Sequence, residues 1–310
     1  GVIEFGYGTQ LGVGSTSNYI TFINDGILRY TGRGSSVSST LSSRIRVYDD
    51  RTATFDMGSG LTLTQSGIVS GDGAILKKNE GTLVLSGRNT FEGGATFGDA
   101  KGAEAGTVRA GSGYNSLGAD YALDESDPAS RKGVVDVVGI ATLDRTNGTR
   151  YLTNHFNVQE DGSLTINTYS ASGYDFYFQN VNGIAAVDPG KSIDGAVVNV
   201  DGNAAGQLYV TGNYVTFSNN RANNGGAIYT AHDGDLAIDI TGGLVFAGNF
   251  AQTSGGAVYN NGSGVVTMGT GSNTLYLTDN MAGGDGGAIY SNGDVILRGT
   301  YMNIYNTRSD

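Results

Sequence analysis

The sequence contains no cysteine, which excludes disulfide bonds, thiolate catalysis and cysteine-ligated zinc sites. Proline is scarce as well, with 2 residues in 310, so collagen and proline-rich linkers are also excluded. Charged residues make up 15 % of the chain, fewer than a disordered chain carries, while 38 % of the residues are hydrophobic. These proportions indicate a folded protein built from half-buried strands.

Long apolar runs are missing too. No segment approaches the roughly 18 to 20 consecutive apolar residues that cross a bilayer as a helix. The opening GVIEFGYG also lacks the basic and apolar regions of a signal peptide. Because the chain begins at Gly1 without a methionine, we expect a mature fragment of a longer protein.

Basic residues are outnumbered, with 18 lysines and arginines against 29 acidic residues and a formal net charge of -11. A surface of this sign repels a phosphate backbone instead of displacing its counterions. The balance therefore predicts that nucleic acid is not a partner.

Glycine is abundant, with 52 residues, and its clearest pattern is an internal repeat in the last third of the chain. The three repeats read FSNNRANNGGAIY at 217–229, FAGNFAQTSGGAVY at 246–259 and LTDNMAGGDGGAIY at 277–290. In each repeat an apolar residue is followed three positions later by asparagine, and then by a glycine pair that leads into a short strand. Two more strand-like runs separate successive repeats, so about 30 residues with three short strands predict one triangular coil of an all-β solenoid.

Alternation along the strands assigns their faces, because successive side chains point to opposite sides. Ile228, Val258 and Ile289 form one predicted interior column. Two further interior columns run along the neighbouring strands: Val215, Leu244 and Leu275, and Phe217, Phe246 and Leu277.

The glycine pairs and the asparagines each suggest a structural role. Glycine reaches the positive φ angles that a sharp corner requires without a Cβ clash, and identical asparagines stacked at the strand repeat can bond to one another. The predicted corner glycines are Gly225, Gly226, Gly255, Gly256, Gly286 and Gly287, and the predicted asparagine ladder is Asn220, Asn249 and Asn280.

Upstream of the repeats the strand signals are dense but less regular. We expect irregular β-helix coils over residues 1–212, continuous with regular coils of about 30 residues over 213–310. The polar segment 111–132, which carries one of the two prolines, predicts a protruding loop. The last residues fall partway through a coil, so we expect the parent chain to continue.

The repeats resemble those of the polymorphic outer membrane proteins, in which GGA plus an aliphatic residue alternates with F-x-x-N. Here GGAI, GGAV and GGAI accompany FSNN, FAGN and the variant LTDN. Residues 73–97, with the core GTLVLSGRNTF, are similar to a strand repeat of autotransporter passenger domains. The resemblance implies a right-handed parallel β-helix at the bacterial outer-membrane surface or outside the cell, which mediates adhesion or self-association.

Since β-helices also carry polysaccharide lyases and hydrolases, acidic and basic pairs are weighed as catalytic or substrate-binding groups. Asp49 and Asp50 could act as paired carboxylates, but neighbours on a strand face opposite sides and a solvated strand end fits them better. Arg44 and Arg46 could hold an acidic sugar, although a solvated face is the simpler interpretation.

Two histidines and four aspartates are the candidate metal ligands. His155 and His232 lack partners at metal-ligand spacing and are expected to be ordinary surface residues. Asp233 with Asp235, and Asp285 with Asp294, could supply oxygen ligands to calcium, but turn-forming aspartates explain them better. We therefore predict no metal and no cofactor, with calcium as the alternative that stays open.

Tyr229, Tyr259 and Tyr290 each follow an inward aliphatic residue, so they should point outward in register as an exposed ladder. Such a ladder could bind a sugar or a protein, or could simply stabilise itself. The leading hypothesis is a surface adhesin whose partner is a host or matrix protein, a glycan or a second copy of itself. The alternatives are a structural subunit of a filament or surface layer, and a polysaccharide lyase or hydrolase.

Overall fold

The computed structural model describes residues 1–12, 19–34, 37–111, 116–124, 132–146, 148–168, 175–186, 189–200, 207–231, 236–305 and 307–309. Within these residues the chain is almost entirely β, and every strand pairing is parallel. None of the described residues belongs to a helix that is both long and apolar enough to span a membrane.

The first face of the solenoid is an 11-stranded parallel sheet to which each coil contributes one strand. Its strands, in both chain order and spatial order, are Val2–Phe5, Gly26–Tyr30, Thr52–Met57, Ala74–Lys78, Ala95–Phe97, Val134–Val137, His155–Val158, Val198–Val200, Ile228–Thr230, Val258–Asn260 and Ile289–Ser291.

The second face is a 14-stranded sheet, to which a later coil contributes either two strand segments or one long strand with a register shift. Its strands are Ser38–Leu41, Thr62–Gln65, Thr82–Leu85, Glu104–Ala110, Ile140–Arg145, Arg150–Leu152, Ser163–Thr168, Phe176–Gln179, Gln207–Ser218, Leu236–Ala247, Val266–Met268, Thr274–Thr278, Val295–Leu297 and Tyr301–Tyr305.

Two short four-stranded sheets close the coils, one in the first half of the chain and one in the second. The first contains Tyr19–Phe22, Arg44–Val47, Val69–Gly71 and Thr90–Phe91; the second contains Arg221–Ala222, Phe250–Ala251, Met281–Ala282 and Arg308–Ser309. Short 3-10 turns lie at Gly8–Leu11 and Pro189–Lys191.

Sequential elements therefore wind around a common axis, and each strand pairs with its equivalents in the coils before and after. This arrangement is the predicted parallel β-helix. Coil length is not constant: Asn89 contacts Val69, 20 residues earlier, whereas Asn199 contacts Asn157, 42 residues earlier. The longer coils accommodate insertions between strands without disturbing the pairing, which explains the irregular period of the upstream region.

Strand alternation places the apolar side chains in the axis of the solenoid, as predicted. Val215, Leu244 and Leu275 are fully buried and paired in register. Next to them the rings of Phe178, Phe217 and Phe246 stack at 5.1 and 4.8 Å between centroids. Like side chains thus lie directly over one another, since each coil repeats the preceding one at the spacing of neighbouring strands.

The predicted protruding loop at 111–132 differs in part from the structure. Residues 112–115 and 125–131 lie outside the described residues. Leu117 is buried in the core, and the amide of Ala119 donates to the carbonyl of Phe91 at 3.1 Å. Asn89 also donates to the carbonyl of Ser116 at 2.6 Å, so this part of the segment packs on the coil instead of protruding.

Candidate functional site

The tyrosine ladder is the most regular feature on the first face. Tyr229, Tyr259 and Tyr290 are paired in register on three successive strands, and all three are partly exposed. Their ring centroids are 5.5 and 4.8 Å apart, with interplanar angles of 7° and 10°. The structure therefore brings together the three tyrosines that the sequence singles out, in a partly rather than fully exposed position.

Ring orientation determines what the ladder presents to a partner. Nearly parallel rings at this separation lie face to face, so each face of the central Tyr259 is covered by a neighbour. The ladder consequently presents ring edges and hydroxyl groups, whereas a sugar that stacks on an aromatic face would need that face uncovered. The geometry therefore favours a partner whose polar groups contact the tyrosine hydroxyls and the positive edges of the tyrosine rings.

Polar groups border the ladder on both sides. At the C-terminal ends of the ladder strands, Asn261 accepts a hydrogen bond from the Tyr259 hydroxyl and donates one to the Tyr229 hydroxyl, both at 3.4 Å. At the N-terminal ends of the ladder strands, the Asp194 carboxylate accepts hydrogen bonds from the backbone and side-chain amides of Asn224, both at 3.0 Å.

This second border continues as a polar column along the corner. Asn224 accepts a bond from the amide of Ser254 at 3.3 Å, and the Ser254 hydroxyl accepts one from the amide of Asp285 at 3.2 Å. The sequence did not reveal this column because its members Asp194, Asn224, Ser254 and Asp285 differ in residue type. Their shared position before the first glycine of each corner is the signal that identifies them.

Burial raises the pKa of Tyr259, and the neighbouring Tyr290 and the Asp194 carboxylate raise it further. Each of these effects disfavours the phenolate, because a buried or negatively surrounded anion is poorly stabilised. Tyr259 thus remains a neutral phenol at ordinary pH. It can donate or accept a hydrogen bond but is not set up as a nucleophile.

The predicted asparagine ladder lies in the interior of the solenoid. Its members, Asn220, Asn249 and Asn280, are fully buried and hydrogen-bonded in sequence. The Asn220 side-chain amide donates to Oδ1 of Asn249 at 3.0 Å, and that of Asn249 donates to Oδ1 of Asn280 at 2.9 Å. The same Oδ1 atoms accept the backbone N–H of Asn220 and Asn249, both at 3.1 Å. Each side-chain amide also donates to the carbonyl of a phenylalanine in the preceding coil.

The glycine pairs serve two different requirements. Gly225, Gly255 and Gly286 have φ of 58°, 67° and 70°, in the left-handed region that a Cβ disfavours. The second glycine of each pair is needed for close approach: a Cβ at Gly256 would lie 2.0 Å from the carbonyl oxygen of Gly287. The corner therefore requires positive φ at only one of its two glycines.

The other candidate groups that fall within the described residues do not converge on a site. Asp49 and Asp50 are exposed in a turn, where Asp49 accepts the amide of Asp50 at 3.0 Å. The guanidinium of Arg44 lies 5.8 Å from the Tyr19 ring centroid, and that of Arg46 lies 5.0 Å from the Tyr48 ring centroid.

For calcium, Asp285 and Asp294 are both exposed. Among the residues that the structure describes, no three carboxylate or imidazole side chains come together as metal ligands. His232, Asp233 and Asp235 lie outside the described residues.

The expectation that His155 is a surface residue is wrong. It is buried, its Nδ1 lies 3.1 Å from the carbonyl oxygen of Ala196, and its ring centroid is 5.3 Å from that of Tyr121. Burial lowers the pKa of His155 to about 4, so the imidazole is neutral at physiological pH. As the first residue of a strand, it faces the backbone of Ala196, 41 residues later in the chain.

His155 should make the fold sensitive to acid. An unfolded histidine titrates near pH 6.5, whereas the folded pKa is about 4, so the unfolded chain binds more protons between these values. The free energy of unfolding should fall as the pH drops through this window, by about 3 kcal/mol at pH 4. The free energy of unfolding should be measured by denaturation at pH 7 and at pH 4. Its fall between the two pH values should be smaller in His155→Phe than in the unaltered protein, by an amount similar to the histidine contribution. An identical pH dependence in the two proteins would contradict the assignment.

Lys77 is a buried cation that the sequence did not flag. It points inward between Phe55 and Phe97, and its ammonium donates to the carbonyl oxygens of Lys78 at 3.0 Å, Ala105 at 2.8 Å and Asn79. Burial lowers its pKa to about 8, and the charge of Asp56 opposes that shift. Since its donors are directed at backbone carbonyls of its own strand end and of the following coil, its role is structural.

Comparison with known proteins agrees with the repeats. The family model of the Chlamydia polymorphic membrane protein repeat matches residues 214–231, 243–261 and 274–292. The chain therefore carries three copies of this repeat, and each copy includes one strand of the first face with its tyrosine.

A curated relative, the adhesin BmaC autotransporter of Brucella suis biovar 1 (strain 1330), is 35 % identical over 115 residues. The match covers 34 % of this chain and 3 % of the relative, so the chain spans only a small part of that protein. No solved structure matches the chain. The predicted likeness to autotransporter passengers with polymorphic membrane protein repeats is confirmed by these two matches.

Proposed function

We propose that this chain is the adhesive part of a bacterial passenger, displayed outside the cell or on the outer-membrane surface, that binds a host or matrix protein or glycan. The observation that carries the proposal is the recurrence of a partly exposed tyrosine at the same position of each polymorphic membrane protein repeat. The similarity to an autotransporter adhesin supports it.

The physical argument begins with rigidity. The strands that carry Tyr229 and Tyr259 are paired on both sides, and the strand that carries Tyr290 belongs to the last coil of the first face. Each ring also packs on its neighbour, so little side-chain freedom remains to be lost on binding. Tyrosine combines a large apolar body with a hydroxyl that exchanges hydrogen bonds, which is why it is enriched at protein interfaces. The ladder with its polar borders therefore forms a preorganised strip of polar and aromatic edges.

A catalytic role has less support. Asp49 and Asp50 are exposed in a turn, and Tyr259 is held as a neutral phenol. We therefore assign the outer surface a binding role without chemistry and without a cofactor.

The proposal is tested by binding of the purified chain to arrays of host-matrix proteins and glycans. We expect at least one class of partner to be retained, and Tyr259→Ala to weaken that binding about tenfold or more, as for a central aromatic contact. Tyr214→Ala is the matched control, because Tyr214 is an exposed tyrosine on the second face and outside the ladder.

Binding by Tyr259→Ala as strong as that of Tyr214→Ala would place the contact away from the ladder. A correctly folded chain that retains no protein or glycan would contradict the adhesive function itself. Thermal denaturation of each variant separates loss of binding from loss of fold.

A further inference from the structure

We propose that Tyr229, Tyr259 and Tyr290 form a site of oxidative cross-linking, in which a one-electron oxidant of the peroxidase type joins neighbouring rings through carbon–carbon bonds. The inference concerns modification of the chain and is independent of what the chain binds. It rests on the packing of the ladder and on the composition of the whole protein.

The packing supplies the proximity. Two phenoxyl radicals couple only when their ring carbons can meet, and the two ladder pairs already stack with centroids at 4.8 and 5.5 Å. Their backbones are fixed in register by strand pairing, so the rings cannot drift apart. Because all three side chains are partly exposed, an external oxidant can take electrons at the ring edges.

The composition removes the usual competitors. The chain has no cysteine and no tryptophan, while it has 18 tyrosines, so tyrosine is the principal donor of single electrons. Four methionines remain, of which Met57 and Met268 are fully buried. Methionine is oxidised chiefly by oxygen transfer to sulfoxide, which is a two-electron reaction and does not consume tyrosyl radicals.

The step balances with peroxide as the terminal oxidant. Each of two phenols gives one electron to the peroxidase and one proton to water, which leaves two phenoxyl radicals. Their ring carbons ortho to oxygen form one bond, and each ring regains aromaticity as the hydrogen on that carbon moves to the phenolic oxygen. One molecule of hydrogen peroxide accepts the two electrons and two protons and becomes two molecules of water.

Geometry ranks the tyrosine pairs among the described residues. Tyr259 and Tyr290 are the closest, at 4.8 Å, and nearly parallel, at 10°. Tyr151 and Tyr177 follow at 5.0 Å but are inclined at 28°, whereas Tyr229 and Tyr259, at 5.5 Å and 7°, are again nearly parallel. Tyr276 and Tyr301 are 6.1 Å apart and inclined at 59°, so they should couple poorly. The product would covalently link successive coils, a role that disulfides cannot fill in this chain.

The experiment treats the intact folded chain with peroxidase and hydrogen peroxide and measures dityrosine fluorescence, with free tyrosine as a control for oxidant activity. Linked peptides are then identified by mass, each showing the loss of two hydrogen atoms. Trypsin is unsuitable, since no lysine or arginine lies between Arg221 and Arg298. Cleavage before aspartate is suitable, because Asp239 and Asp285 help to place the three tyrosines on separate peptides.

We expect links from Tyr259 to Tyr290 and from Tyr229 to Tyr259, with a yield per chain that does not depend on protein concentration. Tyr259→Phe keeps a stacked ring but belongs to both pairs, so it should abolish both links. Tyr276→Phe, the control from the tilted pair, should leave them unchanged. Absence of ladder links in the folded chain, their persistence in Tyr259→Phe, or a yield that rises with concentration as covalent dimers form would overturn the proposal.

Discussion

Replacing Asn249 with alanine is expected to lower the free energy of unfolding by about 4 kcal/mol. The substitution removes the acceptor of two buried donors, the backbone and side-chain amides of Asn220. It also removes the donor to the carbonyl of Phe217 and to Oδ1 of Asn280. All of these groups are buried away from water. The Asn220 backbone amide loses its acceptor, and the Asn220 side chain and Asn280 Oδ1 each lose one of their two partners, so desolvation costs are left uncompensated.

The measurement is chemical denaturation together with hydrogen exchange of the Asn220 amide, which donates directly to Asn249 and should lose its protection. Asn261→Ala is the matched control: Asn261 is exposed and should change stability by no more than about 0.5 kcal/mol. Asn249→Asp should be at least as damaging as alanine, because it keeps the acceptor but directs an oxygen at two other oxygens. Wild-type stability in Asn249→Asp would show that the ladder does not run in the direction described.

Replacing Gly255 with alanine should cost about 3 kcal/mol or more. The residue has φ of 67°, a conformation that costs an L-residue about 1 to 2 kcal/mol. In addition, its Cβ would lie 2.3 Å from the carbonyl oxygen of Val258, so the corner must open against strands paired on both sides.

The matched control is Gly58→Ala, since a Cβ at Gly58 meets no atom within 4 Å and its φ is outside the left-handed region. Thermal denaturation of both variants should show a large loss for Gly255→Ala and no loss for Gly58→Ala. Equal midpoints would mean that the corner relaxes freely, contrary to the close packing of the coils.

The sequence was informative wherever a solenoid position carries the same residue in every coil. Stacking places equivalent positions over one another, so an interior column must be apolar each time, as Val215, Leu244 and Leu275 are. The asparagine and tyrosine columns are visible for the same reason. Whether the tyrosines bind a partner stays a prediction, because the residue pattern gives their position and not their affinity.

The sequence did not predict a coil that keeps the backbone geometry of the repeats but has different residue types. Phe178, Gln179, Asn180 and Val181 form the equivalent of F-x-x-N, with Asn180 at φ 57° and Val181 in the place of the asparagine. In the same coil Gly195 has φ 58° and Ala196 stands where later coils have the second glycine. An insertion separates the two halves, so no fixed period connects them.

His155 illustrates a different limit. Its neighbours in sequence do not indicate burial, because the carbonyl that it faces belongs to Ala196, 41 residues later. A contact across coils of unequal length has no signature in local composition. Lys77 is similar, since its acceptor at Ala105 comes from the following coil.

The asparagine ladder has a direction. One N–H of Asn220 and one of Asn249 donate to the asparagine oxygen of the following coil, and each accepting oxygen faces the preceding coil. The second N–H of each bonds back to a phenylalanine carbonyl, so all bonds between asparagines run in one direction along the axis. Hydrogen bonds in such a chain polarise one another, and each added member strengthens those already present. Under a pulling force along the chain, an uninterrupted run of such coils should therefore yield as a block, and its resistance should grow faster than the number of repeats.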